Sequence, residues 1–265
     1  MIHANAKALS AFTYVDQALV ALPMDQVNFG DAVVTPEEKT RRVGGVFSSV
    51  ARSYDVMNDL MSGGMHRLWK DRFVAKVKPR PGESILDMAG GTGDVAFRLA
   101  RRGAAVTVGD INPDMLGVGL ERAKKKGVEG LTWQVENAEK LSFADVCFDA
   151  YTIAFGIRNV TDIPAALSEA HRVLKRGGRL YVLEFSTSEW PGFGAAYDRY
   201  SQHLIPRIGK LVAKDEDSYR YLVESIRRFP KMEAFRAMIE EAGFRSTSVE
   251  PIMGGLVAIH GGWKT

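Results

Sequence analysis

The chain has 265 residues, of which 46% are hydrophobic and 25% charged, and its 35 basic and 32 acidic residues leave a net charge of +3. This balance argues against nucleic acid as the main partner. The sequence has no apolar run long enough to cross a bilayer, and its single cysteine, Cys147, excludes an intrachain disulfide. Residues 1–21 make a poor secretory signal, so we do not expect them to act as one. We therefore expect a cytoplasmic protein.

The first part of the chain lacks a clear pattern. Residues 1–45 show no clear periodicity, and we expect a poorly ordered N-terminal arm, with or without one short helix, that enters the domain near Gly44. Residues 46–77 carry apolar side chains at helical spacing, which predicts amphipathic helix packed on the domain. The Pro- and Gly-containing segment 78–82 ends that pattern. The main domain is accordingly predicted at residues 46–265.

Strand and helix patterns then alternate. They predict strands at 84–88, 105–110, 131–136, 148–154 and 178–185, and helices at 94–101, 113–126 and 162–175. An aromatic and basic helical stretch follows at 194–228, then a helix at 231–242 and closing strands at 245–252 and 255–262. The alternation is typical of an α/β fold, in which helices cover both faces of a parallel sheet.

The most informative segment is the turn after the first of these strands. The strand ends in Asp87, and the turn contains Gly90, Gly91, Thr92 and Gly93. Glycines let backbone approach a ligand closely, and we expect the N–H groups at 91–93 to bind an anion at the helix start. Asp110 ends the next strand, where a carboxylate can accept hydrogen bonds from both hydroxyls of a ribose. A glycine turn alone occurs in any α/β protein, but the second acid favours a nucleoside-containing cofactor.

The glycine spacing distinguishes between cofactors. A dinucleotide fingerprint requires G-x-G-x-x-G, whereas the glycines here are closer together. The turn resembles the first motif of S-adenosylmethionine-dependent methyltransferases, D/E-x-G-x-G-x-G, with Ala89 in place of the first glycine. Because alanine has a Cβ atom, we expect the backbone at Ala89 to avoid the left-handed region.

Longer segments make the resemblance specific. YDVMNDLMSGGMHRLW at 54–69, and RVLKRGGRL at 172–180 continuing to EFS at 184–186, resemble the two signatures of the ubiquinone/menaquinone biosynthesis C-methyltransferases, the UbiE-type family. FGIRNV at 155–160 matches as well, and the resemblance covers about residues 36–265. The chain departs at Arg176, where proline is usual, and at Ala154, where the usual serine would supply a cofactor contact.

The resemblance implies a fold, a cofactor and a reaction. The fold is the Rossmann-like class I S-adenosylmethionine-dependent methyltransferase fold, a seven-stranded, mostly parallel sheet with a closing antiparallel hairpin, N-terminal helices and a helical lid at 194–228. The implied enzyme uses S-adenosylmethionine, and no metal, to methylate a ring carbon of a polyprenylated quinol, either 2-methoxy-6-polyprenyl-1,4-benzoquinol, demethylmenaquinol or both. The implied cofactor contacts are Asp87, Gly90, Gly91, Thr92, Gly93, Asp110, Asn137 and Ala138. For Asn137, forming a turn is an equal alternative to pairing with adenine.

Ring methylation requires an in-line approach and removal of a proton from the quinol hydroxyl. The first signature offers Tyr54, Asp55, Asn58 and His66, and the segment after the fourth strand offers Arg158 and Asn159. We predict catalytic roles for Arg158, Asn159, Tyr54 and Asp55, with Arg158 orienting the quinol oxygen or a water. Structural roles are the alternative: packing for Tyr54, capping for Asp55 and a satisfied structural histidine for His66.

A lipid-tailed substrate stays in the membrane. The basic and aromatic stretch 194–228 therefore predicts a lid that contacts the inner face of the membrane transiently, with an ordinary helical cap as the alternative. A homodimer and a quinone-biosynthesis complex stay open as assemblies. Three other functions compete: a methyltransferase for another small hydrophobic acceptor, a nicotinamide-dependent oxidoreductase and a non-catalytic scaffold.

Overall fold

The computed structural model describes residues 26–51, 54–186 and 216–265, without the side chains of residues 55, 57, 60, 61, 216 and 217. Most of the predicted arm and most of the predicted lid, residues 1–25 and 187–215, lie outside this range.

The described part begins with the hairpin β1 (Val27–Phe29) and β2 (Ala32–Val34) and the helices α1 (Pro36–Val50), α2 (Tyr54–Ser62) and α3 (His66–Val77). Alternating elements follow: β3 (Ser84–Met88), α4 (Asp94–Ala100), β4 (Ala105–Asp110), α5 (Pro113–Lys126), β5 (Leu131–Val135), β6 (Phe148–Ala154), a 3-10 turn (Ile157–Asn159), α6 (Ile163–Val173) and β7 (Leu174–Phe185). The chain closes with α7 (Glu216–Arg228), α8 (Met232–Glu241), β8 (Arg245–Ile252) and β9 (Val257–Trp263).

The main sheet has seven strands in the order β5-β4-β3-β6-β7-β9-β8. Neighbours from β5 to β7 are parallel, while β9 runs antiparallel to β7 and to β8. The predicted mostly parallel sheet with a closing antiparallel hairpin is confirmed. Strand order reverses between β3 and β6, and in such sheets the carboxyl ends at the reversal form the ligand crevice.

Alternating side chains of the central strands pack on opposite faces. Ile85 of β3 belongs to one hydrophobic cluster, with Trp69 and Phe73 of α3. Its neighbour Leu86 belongs to another, with Leu167 of α6 and Phe235 of α8. The helices thus cover both faces of the sheet and fix the strand ends that form the crevice.

The structure departs from the sequence patterns mainly before β3. Residues 27–45, which we assigned to the poorly ordered arm, form the β1–β2 hairpin and most of α1. The helix starts where the Thr35 hydroxyl accepts a hydrogen bond from the Glu38 N–H (3.2 Å) and proline occupies the first turn. The helical region predicted at 46–77 is interrupted at Gly63 and Gly64, whose φ values are 57° and 80°.

Candidate active site

Two adjoining chambers lie at the carboxyl ends of β3, β4 and β6. The large chamber spans about 720 Å³ and the small chamber about 370 Å³ of space, in each case including the part that is open to solvent. Tyr54, Ala89 and Phe155 line both chambers, so the two adjoin, and we refer to them together as the cleft. The cleft lies at the predicted crevice.

Asp110 anchors the large chamber. Its Oδ2 accepts a hydrogen bond from the Gly91 N–H and its Oδ1 one from the Asn112 N–H, both at 2.9 Å. Burial raises the pKa of Asp110 to about 6. Each carboxylate oxygen can accept a second bond, so Asp110 keeps the capacity to bind ribose hydroxyls.

The rest of the large chamber is lined by both apolar and polar side chains. Ile111 is 41% exposed although it is a large hydrophobic residue, and the chamber is also lined by Met115 and Ala138. Asn137 lines the chamber as well, while its Oδ1 accepts a hydrogen bond from the Glu139 N–H at 2.9 Å. This hydrogen bond supports the turn-forming interpretation of Asn137, and its contact with a base stays a prediction.

The glycine turn is held by its own hydrogen bonds. The Gly91 N–H donates to Asp110 and the Gly93 N–H donates to the Gly90 carbonyl at 2.8 Å. The expectation that the N–H groups at 91–93 all bind an anion is therefore wrong for Gly91 and Gly93, because the loop itself uses them. A Cβ atom at Gly90 would lie 2.6 Å from Val108, so close packing behind the loop requires glycine there.

Two non-glycine residues of the cleft have left-handed backbones. Ala89 follows β3 with φ 51°, and Phe155 follows β6 with φ 57°. The expectation that Ala89 avoids this region is wrong, because the turn geometry fixes the conformation whichever residue occupies the position. Such conformations cost about 1–2 kcal/mol each and concentrate at functional sites.

The small chamber contains Asp87 and Thr92, which are 1% and 2% exposed. Asp87 Oδ1 accepts a hydrogen bond from the Thr152 hydroxyl at 2.7 Å, while Oδ2 has no partner among the described residues. Burial raises the pKa of Asp87 to about 7. The Thr92 hydroxyl accepts a hydrogen bond from Arg122 Nη1 at 2.7 Å.

Two basic side chains of this region were not predicted from the sequence. Lys70 of α3 lines the small chamber, is 3% exposed and donates to Asp94 at 2.8 Å. Arg122 of α5 reaches the glycine turn through Thr92. A lysine or arginine in an amphipathic helix ordinarily faces solvent, so no feature of the sequence distinguished these two from surface charges.

Of the predicted catalytic residues, Tyr54 and Asn159 reach the cleft. Tyr54 is half-buried, and burial raises its pKa to about 12, so its phenol is a neutral hydrogen-bond donor near neutral pH. Asn159 lines the large chamber and its Oδ1 accepts a hydrogen bond from the Tyr221 hydroxyl at 3.0 Å. Asp55 belongs to α2, but its side chain lies outside the described set. The ring of His66 pairs with Asp59 at 2.9 Å, which supports the structural interpretation.

Arg158 lines neither chamber among the residues that the structure describes. Its Nη1 donates to Glu184 Oε1 at 2.8 Å and to the Phe155 carbonyl at 2.6 Å, and its side chain is 3% exposed. Glu184 is fully buried, and burial raises its pKa although Arg158 opposes the rise. In this conformation Arg158 supports the loop that carries Phe155, and its direct role at a quinol oxygen stays a prediction.

The cleft fits S-adenosylmethionine on the chemistry of its donors and acceptors. Asp110 suits the ribose, and the apolar wall with Ile111 suits a flat base. The unpartnered, buried Asp87 Oδ2 suits an ammonium group such as that of the cofactor's amino-acid end.

Comparison with known proteins supports the same assignment. A family model described as the ubiE/COQ5 methyltransferase family matches residues 35–264. The ubiquinone/menaquinone biosynthesis C-methyltransferase UbiE of Zymomonas mobilis is 62% identical over 241 residues, which cover 91% of this chain and 100% of that protein. The UbiE of Brucella anthropi is 56% identical over 243 residues, or 89% of this chain and 92% of that protein.

Solved structures share the fold at low identity. An S-adenosylmethionine-dependent methyltransferase from Thermotoga maritima has a TM-score of 0.62 at 19% identity, covering 84% of this chain and 100% of that one. The [4+2]-cyclase SpnF has a TM-score of 0.64 at 17% identity, covering 85% and 96%. Because a cyclase shares it, the fold alone does not fix the chemistry.

Proposed function

We infer the function of this chain from its family: it belongs to the ubiE/COQ5 methyltransferase family. It is a C-methyltransferase of ubiquinone/menaquinone biosynthesis, and the observation that carries this conclusion is 62% identity across the full length of a UbiE protein. The nicotinamide oxidoreductase and the scaffold have no support from this relationship.

The cofactor proposed for the cleft is S-adenosylmethionine. Asp110 binds the ribose, and Asn137 and Ala138 lie beside the adenine. The turn from Gly90 to Gly93 contacts the amino-acid end of the cofactor. When bound, the cofactor supplies an electrophilic methyl group on a sulfonium. The protein contributes position, through a turn whose glycines are fixed by packing, and a half-enclosed cleft that restricts water.

The proposed acceptor is a polyprenylated quinol whose ring enters the large chamber. Of the four predicted catalytic residues, Tyr54 and Asn159 are the two that line that chamber in the described structure. The neutral Tyr54 phenol donates a hydrogen bond and does not act as a base at neutral pH. Asn159 is steadied by Tyr221, so its amide can orient a quinol oxygen. Asp55 stays a predicted catalytic residue, and Arg158 holds the Phe155 loop in place.

The test is direct. Purified protein is incubated with a methyl-labelled cofactor and with each reduced quinone precursor, benzoquinol or naphthoquinol, and the products are analysed by mass. We expect one added methyl group on the ring carbon of at least one precursor. Cofactor binding with no methylation of either precursor, but with methylation of a different small apolar acceptor, would favour the other methyltransferase function.

Peripheral membrane contact is part of the proposal. Within the described ranges, no helix combines the length and hydropathy needed to cross a bilayer. Helix α7 buries Tyr219 and Leu222 on one side and exposes Arg220 and Arg227 on the other. This amphipathic pattern supports docking on anionic lipid. Flotation with anionic vesicles, compared with neutral ones, is the measurement, and equal recovery from both would count against docking.

A further inference from the structure

The turn of the β1–β2 hairpin is attached to helix α7. The Asp31 N–H donates to Glu224 Oε2 at 3.0 Å, while Arg228 donates to Asp31 Oδ1 at 2.9 Å and to Asn28 Oδ1 at 3.3 Å. Gly30 has φ 55°, and a Cβ atom there would meet the Glu224 carboxylate, so the close approach suits glycine. Polar contacts thus join the N-terminal hairpin to the last helix of the predicted lid.

An aromatic contact extends this attachment toward the interior. The ring of Phe29, at the end of β1, stacks on the ring of Tyr221 with 4.2 Å between the centroids and 14° between the planes. The Arg42 guanidinium of α1 lies 5.6 Å from the centroid of Phe29. Tyr221 is 4% exposed. A residue of the hairpin therefore forms part of the packing that fixes the Tyr221 ring.

Two residues of α7, one helical turn apart, contact two predicted catalytic residues. The Tyr221 hydroxyl donates to Asn159 Oδ1 at 3.0 Å, and the Ser225 hydroxyl accepts from Arg158 Nε at 3.3 Å. Positions i and i+4 lie on the same face of a helix, so one face of α7 meets the 3-10 turn that carries both residues. The position of α7 therefore affects how Asn159 is held in the cleft.

Asn159 is the member of this chain of contacts that lines the large chamber. Its Oδ1 accepts from Tyr221, which leaves its amide N–H donors for an oxygen atom of the acceptor. We propose that the β1–β2 hairpin positions Asn159 for catalysis through Phe29 and Tyr221. These two are positioning residues, since neither lines the cleft. The inference rests on the proposed function, because the group that Asn159 orients is the quinol.

The first variant removes the hydrogen bond and keeps the stacked ring. Because a misplaced donor slows the bound complex, Tyr221→Phe is expected to lower kcat for the quinol about 3- to 10-fold. The affinity for S-adenosylhomocysteine, measured by calorimetry, should be unchanged. In an Asn159→Ala background the same substitution should have no further effect on kcat, because the side chain that it positions is absent.

The second variant tests the hairpin itself. Phe29→Leu keeps an apolar side chain and removes the stacked ring, so kcat should fall as in Tyr221→Phe. In the Tyr221→Phe background it should have little further effect, since both act through one hydrogen bond. Asp31→Ala, which removes an acceptor of Arg228, gives a second measurement if Phe29→Leu does not fold. Val33→Ala is the matched control, because Val33 of β2 is 50% exposed, and its kcat should equal that of the wild type.

Hydrogen exchange measures the same coupling without turnover. The Asn159 N–H donates to the Gly156 carbonyl at 3.0 Å and the Val160 N–H to the Ile157 carbonyl at 3.2 Å, so both amides report on the 3-10 turn. Both should exchange faster in Tyr221→Phe and Phe29→Leu than in the wild type, and at the wild-type rate in Val33→Ala.

The possible results separate positioning from a structural role. An unchanged kcat in Tyr221→Phe or in Phe29→Leu would overturn the proposal, even if the melting temperature fell. A loss of kcat with an equal loss of S-adenosylhomocysteine affinity would also overturn it, because that result would indicate collapse of the cleft. If the wild-type protein methylates neither quinol while exchange depends on the hairpin as expected, the proposed function fails and the coupling between hairpin and 3-10 turn stands.

Discussion

The buried ion pair between Arg158 and Glu184 gives a prediction that separates support of the loop from direct catalysis. Arg158→Met removes the cation beside a carboxylate that is 0% exposed and whose Oε2 has no partner among the described residues. Breaking a buried pair from one side costs about 3–5 kcal/mol. At about 2–4 °C per kcal/mol, the melting temperature falls by about 6–20 °C.

The double variant Arg158→Met/Glu184→Gln buries no charge at this position. We expect it to recover part of the stability, with a coupling free energy of about 1–3 kcal/mol in urea unfolding. The control is Arg236→Met, whose pairs with Glu233 and Glu240 are exposed. It should cost about 1 kcal/mol or less.

Turnover of the labelled methyl group, measured on the same variants, decides the role of Arg158. If Arg158 only holds the Phe155 loop, the double variant regains turnover together with stability. If Arg158 binds the developing phenolate, stability returns and turnover stays about 10²-fold low or lower. An Arg158→Met protein as stable as the wild type would refute the buried-pair reasoning, and full turnover with unchanged cofactor affinity would remove the direct role.

Three further substitutions test the cleft by urea unfolding. Ala89→Gly removes the strain of a left-handed alanine, about 1–2 kcal/mol, but adds about 0.4–1 kcal/mol of chain entropy to the unfolded state. We expect the free energy of unfolding to rise by about 0.5–1 kcal/mol. A lower free energy of unfolding would contradict the left-handed φ angle. Because burial raises the pKa of Asp87 to about 7, the folded protein keeps a proton that the unfolded chain releases near pH 4, so stability falls as pH rises between those values. Asp87→Asn should remove that slope and add up to about 4 kcal/mol at pH 8 without ligand; an unchanged slope would exclude Asp87 as its source. Gly119→Ala places a Cβ atom against the indole of Trp133 and should cost about 1–3 kcal/mol, whereas Gly117→Ala in the same helix meets no atom within 4 Å and should stabilise by about 0.8–1 kcal/mol.

The centre of the sheet could be predicted because strands β3, β6 and β7 are largely buried on both faces and contain continuous apolar runs. Strands β3, β4 and β6 have the predicted ends. Strand β7 begins at Leu174 rather than residue 178, because an apolar residue at the end of α6 continues directly into the strand. The β1–β2 hairpin was missed although Gly30-Asp31 is a turn dipeptide, because three-residue strands leave little periodicity to detect.

The position of a site residue could be predicted where the residue stands at the end of a predicted strand. It could not be predicted where it depends on which face of a helix the side chain occupies. Asp87 and Asp110 stand at strand ends that the sequence defines, so their place in the cleft followed from the fold. Lys70 and Arg122 depend on which side of a helix faces the turn, which a pattern of charges does not determine. Arg158 was placed correctly at a strand end, but its partner Glu184 lies 26 residues away and only the structure joins them.

The Arg158–Glu184 ion pair lies beside an aromatic cluster to which all three family-like segments contribute. This shared packing gives a physical reason why the three segments occur together in one sequence. Trp69 of the first signature, Phe155 after β6 and Phe185 of the second signature pack as an aromatic cluster, with centroids 4.9–6.3 Å apart. The Arg158 guanidinium lies 5.8 Å from the Phe185 ring, and its Nη1 holds the Phe155 carbonyl. Aromatic pairs contribute about 0.5–1.5 kcal/mol each, comparable with the strain of one left-handed residue. The cluster can therefore hold Phe155 in its strained conformation against the cleft, so the signatures act as one support although they are far apart in the chain.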